Sequence, residues 1–514
     1  MFTFIIILLS LLTALYFYTT RMYKYWEERG VKTENPKPFF GNIAAYILRQ
    51  KSVAQILEEI YWKHPKDKVV GYYHISRPVL LIRDPDIYQH VFTTDFNSFY
   101  ARGFREAGLE YDKLEILMKN LFVIEGDAWR LLRNGLSPAF TSSKLKGMFS
   151  LLRQQAELLQ ERTRELCTGG RPVDAFELMV RYNIDFIGTY AFGIDAGSQK
   201  QEDSFFRHLA KKIFDINLKR IIILLLKTLY PTTFQSLKYY GHFEKDCCDL
   251  VRQILRQRDY KCTDRHDFIN MLLAVRAKGK FECDSLEKIK LDGTPERVYM
   301  EFDDSAIAAS AFLFFAAGFE TAATSTSHTL HELAYNPEEQ KKVQNHIDRV
   351  LKKHDNQLSY DAIKDMNYLE MAFKESLRIF PPGGHLMRTC RRKCTIHGSD
   401  VTVDEGIRVV IPVTALHHDP KYWTAPEEFR PERFSPENNE PRQKYAYMPF
   451  GFGPRGCIGG RLGLMQSLTA LVTILSRYTV SPAPTSSRRP VLDPSANVVQ
   501  TIIGGLPLIF TPRT

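Results

Sequence analysis

The feature that most constrains this chain is a loop of glycines and one proline around a single cysteine. The loop reads FGFGPRGCIG from Phe450 to Gly459 and runs directly into an apolar helical pattern. Glycine lets a backbone approach a flat ligand closely, and the start of a helix favours the thiolate form of a cysteine. A thiolate is the soft, electron-donating ligand that iron requires for cleavage of an O–O bond. A single cysteine is more often a core residue, so the loop alone makes Cys457 a candidate iron ligand, with the Arg455 guanidinium available for a carboxylate.

The loop matches the Phe-x-x-Gly-x-Arg-x-Cys-x-Gly signature of the cytochrome P450 family at every fixed position. The chain resembles that family over about residues 36 to 510. The resemblance implies a mainly α fold with small peripheral β-sheets, built as one large haem domain. It also implies that haem b is the cofactor, that Cys457 is the axial iron ligand, and that Phe450, Arg455 and Gly459 contact the haem.

A second motif places a carboxylate and a guanidinium on one helix face. Glu375 and Arg378 stand three residues apart in an apolar helical pattern that ends at a Pro-Pro pair. Glu-x-x-Arg alone is a weak signal, because exposed pairs contribute little and the chain repeats the spacing at Glu161 and Arg164. The resemblance implies a buried network of Glu375, Arg378 and Arg433 that supports the haem core and takes no part in the chemistry.

A third motif is a run of small side chains within the helical stretch from Phe302 to Tyr335. Glycine inside a helix costs about 1 kcal/mol relative to alanine, so a thin helix requires a reason. Close packing on a neighbouring helix is one reason, and a flat macrocycle against Ala317 is the other. Thr321 can bond back to a helix carbonyl and loosen the helix. The resemblance implies that Glu320 and Thr321 supply protons for oxygen activation, although Ala322 stands where the family often has a second hydroxyl.

A fourth motif sets Trp129 and Arg133 one helical turn apart. That spacing presents an indole N–H and a guanidinium on one face, where both could meet carboxylates. Amphipathic packing is the ordinary alternative. The resemblance implies that this helix binds the haem propionates. It also implies that Arg388, ten residues after Arg378, binds a propionate, with Arg102 as a weaker candidate.

The resemblance is strongest to the animal microsomal branch of the family, which oxidises drugs, toxins and steroids in roomy apolar pockets. It implies a monooxygenase that uses O2 and NADPH on a lipophilic molecule of the xenobiotic, steroid or fatty-acid class. One alternative is a haem-thiolate isomerase or dehydratase that acts on peroxides and tends to lack the acid–alcohol pair. Another is a non-catalytic haem-binding protein. The expected substrate-pocket residues are Leu313, Ala316, Ala317, Pro382, Gly383 and Ile503.

The chain begins with an apolar stretch from Phe2 to Tyr18, close to the roughly 20 residues that span a bilayer as a helix. Basic residues follow this stretch and none precedes it, which favours a cytosolic catalytic domain. A cleaved secretory signal is the alternative, but a charged start and a small-residue cleavage site are missing. We expect a single-pass anchor at residues 1–20, a basic, proline-containing linker at 21–38 and the catalytic domain at 39–514, in the endoplasmic reticulum membrane.

The rest of the pattern predicts a mainly helical chain. The short apolar run from Ile221 to Leu226 is either a core helix segment or a surface patch that touches the membrane. The other expected elements are a hairpin over 69–82, helices over most of 86–381, strands within 395–412, a loop-rich stretch over 413–456, a long helix over 460–478 and closing strands within 498–511.

Net charge indicates which binding partners are expected, and cysteine content indicates the cellular compartment. The net charge of +10 suits a membrane surface or an acidic protein, whereas nucleic acid is not expected, because zinc-finger spacing and basic–aromatic runs are missing. The eight cysteines form no disulfide framework and fit the reducing cytosol. The resemblance implies NADPH–cytochrome P450 reductase as the electron donor, with cytochrome b5 as an additional partner. Basic residues that could meet an acidic partner are Lys341, Lys342, Arg349, Lys352 and Lys353.

Overall fold

The computed structural model describes residues 2–104, 111–214, 218–229, 233–234, 236–438, 445–496 and 498–513. The described chain is mainly α-helical with small sheets, as expected. The helices are α1 Phe2–Thr20, α2 Ala44–Ile47, α3 Val53–Lys63, α4 Pro85–Gln89, α5 Gly126–Leu136, α6 Ser142–Gly147, α7 Phe149–Leu166, α8 Ala175–Phe192, α9 Phe205–Phe214, α10 Leu218–Leu229, α11 His242–Gln257, α12 Phe268–Arg276, α13 Asp304–Tyr335, α14 Pro337–Lys353, α15 Tyr360–Lys364, α16 Asn367–Ile379, α17 Val413–His417 and α18 Gly460–Leu475. The strands are β1 Val69–His74, β2 Arg77–Ile82, β3 Val173–Asp174, β4 Phe281–Ile289, β5 Pro295–Met300, β6 Leu386–Thr389, β7 Cys394–Thr395, β8 Thr402–Val403, β9 Arg408–Ile411, β10 Tyr478–Pro482, β11 Val491–Leu492, β12 Ile502–Ile503 and β13 Pro507–Pro512.

Four strands form one sheet, in the order β1-β2-β9-β6. β1 and β2 are the predicted hairpin, paired antiparallel from Val69 opposite Ile82 to His74 opposite Arg77. β9 runs parallel to β2 and antiparallel to β6. The sheet therefore holds β6, which carries Arg388, in a fixed register against strands from the N-terminal part of the chain.

β4 and β5 form a hairpin in a stretch that the sequence pattern predicts to be mainly helical. The two strands pair antiparallel around Asp292-Gly293, a dipeptide that favours tight hairpin turns. The hairpin packs on the start of α5, where the Asp127 carboxylate accepts hydrogen bonds from the Ser285 hydroxyl at 2.6 Å and the Leu286 N–H at 2.5 Å. The helical prediction missed this hairpin because its alternation is short and the flanking helical patterns are long.

α1 is the candidate membrane anchor. It has 19 residues, and an 18-residue stretch of it has a mean hydropathy of 2.1. Only 6% of that stretch is buried in protein. At 1.5 Å per residue such a helix is about 28 Å long, close to the thickness of a bilayer core. α13 is also long and apolar, but 72% of its window is buried, so α13 is a core helix.

The segment predicted as a linker, residues 21–38, packs in large part on the sheet. Trp26 is fully buried, and its indole N–H donates to the Tyr72 carbonyl at 3.3 Å. A Cβ atom on Gly71 would lie 2.4 Å from Trp26 Cγ, so this glycine makes room for the indole ring. Arg29 pairs with Asp404 at 2.6 Å. The prediction of a separating linker is corrected here, because it weighed the prolines and basic residues and overlooked the apolar area of Trp26.

The apolar run at residues 221–226 lies within α10. Ile221 and Ile222 are 38% and 47% exposed, whereas Ile223 is buried. Ile223 therefore contributes to the core, whereas Ile221 and Ile222 lie at the surface, and contact of this surface with a membrane stays a prediction.

A buried ion-pair network joins α16 to the segment before the cysteine loop. Glu375 and Arg378 are both fully buried, with Arg378 Nε 2.9 Å from Glu375 Oε2 and Nη2 2.9 Å from Oε1. Arg433 Nε donates to Glu375 Oε1 at 3.0 Å. Arg378 also donates to the His417 carbonyl at 2.9 Å. The structure thus brings together the three side chains of the expected network, in which one carboxylate pairs with two guanidinium groups and backbone carbonyls accept their remaining hydrogen bonds.

We expect Arg378→Ala to lower the free energy of unfolding by about 3–5 kcal/mol, because it removes one partner of a buried ion pair. The matched control is Arg164→Ala in the exposed Glu161-x-x-Arg164 spacing, which should cost less than about 1 kcal/mol. Urea unfolding followed by tryptophan fluorescence measures both changes. Equal losses in the two variants would contradict a supporting role for the buried arginine.

Candidate active site

The cysteine loop has a backbone path that only glycine accommodates at two positions. Gly451 and Gly453 both have φ of +71°, in the left-handed region that glycine favours. A Cβ atom on Gly453 would lie 2.1 Å from the Phe92 carbonyl oxygen. The Cys457 N–H donates to the Phe450 carbonyl at 2.8 Å, which closes the loop just before α18. The glycines therefore set the path that presents the Cys457 thiol.

Cys457 lines a cavity, and its side chain is exposed there. Burial raises the pKa of Cys457, while the Gly459 N–H and the charges of Arg133 and Arg102 act in the opposite direction. The expectation that the helix start alone favours a thiolate is therefore incomplete, because desolvation is the larger effect. A thiolate here needs a further cation, and a coordinated metal ion deprotonates a thiol outright.

The cysteine loop opens on a cavity of about 340 Å³ that α13, the turn before β6 and the start of α18 also line. A cavity of this size lies in the range of small-molecule sites. The predicted site residues that line it are Cys457, Phe450, Gly459, Arg455, Trp129, Arg133, Arg388, Arg102, Thr321, Ala317, Leu313, Pro382 and Gly383.

Three residues predicted for the substrate pocket or for proton delivery are not among the described residues that line the cavity. Ile503 is 56% exposed on β12, and Val498 and Val499 line the cavity in its place. Ala316 and Glu320 precede the lining residues Ala317 and Thr321 by one position each, and one residue is about 100° of rotation on a helix. The prediction placed the right segments at the cavity but did not resolve which face of each segment points inward.

The small residues of α13 serve two different faces. A Cβ atom on Gly318 would lie 2.7 Å from Ile187 Cδ1 on α8, so this glycine permits close helix packing. Ala317 lies on the cavity face, together with Leu313, Thr321 and Ser325 at intervals of four residues. Close helix packing therefore accounts for Gly318, whereas Ala317 faces the cavity. The same interval could have identified Ser325, which the sequence analysis missed.

The acid–alcohol pair is split between the cavity and the core. The Thr321 hydroxyl donates to the Ala317 carbonyl at 2.6 Å, the predicted back-bond along the helix. Glu320 is 9% exposed, and its Oε2 has no hydrogen-bond partner among the described residues. Burial raises the pKa of Glu320 to about 7. This carboxyl group can therefore be protonated or ionised near neutral pH.

Four arginines converge on the cavity. Arg455 donates to the Tyr100 and Ile124 carbonyls, both at 2.9 Å, and its guanidinium lies 4.2 Å from the centre of the Trp129 ring. Arg388 donates to the Met387 carbonyl at 2.8 Å, while its Nε has no partner in the part of the chain described here. The other two arginines are Arg102 and Arg133.

The charges of these arginines are poorly compensated. Burial, followed by the charge of Arg102, holds the pKa of Arg388 well below its usual range. Burial, followed by Arg102 and Arg388, does the same to the pKa of Arg455. Burial lowers the pKa of Arg102 to about 10. An anion in the cavity would raise the pKa values of all three arginines again. The site therefore fits a group that carries two carboxylates and takes a thiol as its ligand, as haem b does.

Comparison with known proteins agrees with this geometry. A sequence model of the family described as Cytochrome P450 matches residues 31–506. Cytochrome P450 6B7 of Helicoverpa armigera is 34% identical over 99% of this chain and 98% of its own length. Cytochrome P450 6k1 of Blattella germanica is 34% identical over 99% and 97%, and cytochrome P450 6B5 of Papilio glaucus is 35% identical over 94% and 98%. The chain therefore belongs to the cytochrome P450 family of monooxygenases, which use haem b, O2 and electrons derived from NADPH.

Proposed function

We propose that this protein is a membrane-anchored monooxygenase that inserts one oxygen atom of O2 into a lipophilic molecule of the xenobiotic, steroid or fatty-acid class. One observation carries the proposal: Cys457, Thr321 and the arginine cluster line a single cavity. A thiol ligand, a proton-transferring hydroxyl and cations for two carboxylates are the three parts that haem-based oxygen activation requires of the protein.

The residues that line the cavity would have different roles in holding the haem. Cys457 would ligate the iron, and Phe450, Gly459 and Ala317 would contact the haem plane. Arg455, Arg388, Arg133 and Trp129 would hold the propionates, with Arg102 beside them. When bound, the haem supplies the iron at which O2 is activated and the substrate is oxidised.

Proton delivery falls to Thr321 and Glu320. The Thr321 hydroxyl lies on the cavity surface, and the Glu320 carboxyl one residue earlier holds a proton that it can exchange near neutral pH. Ala322 offers no second hydroxyl, but Ser325 lines the cavity one turn further on and bonds to the Thr321 carbonyl at 2.8 Å. Ser325 therefore offers a hydroxyl to replace the one that Ala322 lacks.

The proposed location in the cell rests on the anchor helix α1 and on the basic residues that follow it. α1 would cross the endoplasmic reticulum membrane once, with the catalytic domain in the cytosol. NADPH–cytochrome P450 reductase would donate electrons, and cytochrome b5 could assist. Of the five basic residues proposed for such a partner, Lys342 pairs with Glu339 at 2.7 Å and Lys353 with Asp365 at 2.8 Å. The other three, Lys341, Arg349 and Lys352, are exposed and better placed to meet an acidic surface.

We expect NADPH-dependent O2 uptake when the full-length protein is reconstituted in lipid vesicles with the reductase and a panel of lipophilic compounds. Product with one added oxygen atom should accompany the uptake, because the Glu320–Thr321 pair supports oxygen activation. Oxygen electrode traces and mass spectrometry measure both. Turnover of organic peroxides without O2 uptake would favour the isomerase or dehydratase alternative, and no turnover with intact haem would favour a haem-binding protein.

We expect Glu320→Gln to slow product formation by about a hundredfold, the usual effect of losing a proton-transferring group. In the unaltered protein the rate should fall as the pH rises above about 7, where the Glu320 carboxyl loses its proton. The variant should show no such fall. Rates measured from about pH 6 to about pH 8 provide the test, with Glu338→Gln, an exposed carboxylate on α14, as the control. An unchanged pH profile in Glu320→Gln would contradict this role.

A further inference from the structure

We propose that His385 is a specificity-determining residue whose imidazole hydrogen-bonds a hydroxyl or carbonyl oxygen of the substrate. This inference rests on the proposed monooxygenase function and deepens it. The preferred substrate is then a lipophilic molecule that carries such an oxygen, and a plain hydrocarbon of the same shape binds less well.

His385 is held in the cavity wall by a rigid backbone. It follows the turn at Pro382–Gly384 and lines the cavity next to Leu386 at the start of β6. The Gln500 N–H donates to the Pro382 carbonyl at 2.8 Å, and the Gln500 side chain donates to the Pro381 carbonyl at 2.7 Å. The turn is closely packed as well, since a Cβ atom on Gly384 would lie 2.7 Å from Ala54 Cβ. The backbone at His385 therefore has a defined position before any ligand binds.

His385 lines the cavity, and its exposure is intermediate. Burial lowers the pKa of His385 to about 4, so the imidazole is neutral. A neutral imidazole carries one N–H donor and one acceptor nitrogen. His385 can thus donate to a carbonyl oxygen, and it can both donate to and accept from a hydroxyl.

Most other polar side chains of the cavity are already engaged. The Thr321 and Ser325 hydroxyls bond to carbonyls of α13, and the Gln466 amide bonds to Asn183 and to the Gly318 carbonyl. The Tyr190 and Ser467 hydroxyls have no partner in the described structure, but both residues are buried. His385 has no hydrogen bond to any of the described residues and has open surface in the cavity.

The wall around His385 is apolar. Phe104, Phe122, Leu313, Val498 and Val499 line the same cavity, so a substrate must shed its water to enter. A polar oxygen then loses its bonds to water, and a positioned donor in the wall replaces one of them. A site of this kind discriminates against the analogue that lacks the oxygen, because the imidazole is then left without a partner.

The test uses the full-length haem-loaded protein in lipid vesicles and two rigid probes of one shape, 2-adamantanone and adamantane. Dissociation constants are read from the shift of the haem absorption band on ligand binding. We expect the ketone to bind about tenfold more tightly than the hydrocarbon, as one net hydrogen bond allows. The ratio should fall to about one in His385→Phe and should largely persist in His385→Gln, which retains a donor. Val498→Ala alters the same wall without a polar group and should keep the unaltered ratio.

Three results would overturn the proposal. The first is a ratio near one in the unaltered protein, and the second is a tenfold ratio that survives in His385→Phe. The third is a loss of haem content or a shift of the haem reduction potential in His385→Phe with no change in the ratio, which would assign the imidazole to a propionate. Failure of the unaltered protein to bind haem would instead refute the proposed function, and haem content is measured separately from ligand binding.

Discussion

The position of the cysteine loop depends on the ion pairs that the buried Glu375 carboxylate makes with two arginines. The carboxylate holds Arg378 and Arg433 at 2.9 Å and 3.0 Å, and Arg378 in turn donates to the His417 carbonyl. Burial lowers the pKa of His417 to about 3, so its ring is neutral, and its Nε2 accepts the Met448 N–H at 3.0 Å. The Met448 carbonyl accepts the Gly451 N–H at 3.0 Å. A continuous series of bonds thus runs from α16 to the loop that carries Cys457.

The cavity is lined by several arginines whose positive charges the fold alone does not require. Buried arginines that donate mainly to carbonyl oxygens are costly unless an anion completes the site. In this chain burial lowers the pKa values of Arg102, Arg388 and Arg455, and the charge of Arg102 lowers those of Arg388 and Arg455 further. Glu125 opposes the effect at Arg102 and Arg455, but this carboxylate is itself paired with Arg391. A dianionic group bound between these arginines and Cys457 would stabilise the folded protein as well as equip it for chemistry.

The sequence was informative where function depends on fixed spacing along the chain. The cysteine loop, the Glu375–Arg378 pair and the α13 run each lie within about ten residues, so local geometry determines which side chains share a face. Contacts between distant segments were harder to foresee. Trp26 packs against Gly71, and Val498 and Val499 line the cavity in place of Ile503. These arrangements follow from the register of sheets and turns, which periodicity does not specify. His385 stands between two predicted site residues, yet only the folded chain shows that it lines the cavity.

The most direct test of the central claim is the absorption spectrum of the reduced, carbon-monoxide-bound protein, recorded for the unaltered chain and for Cys457→Ala. A thiolate opposite carbon monoxide donates electron density to the iron and shifts the main haem band to longer wavelength. The account predicts this red-shifted band in the unaltered protein and its loss in the variant. A red-shifted band that persists in Cys457→Ala would contradict the assignment of Cys457 as the iron ligand.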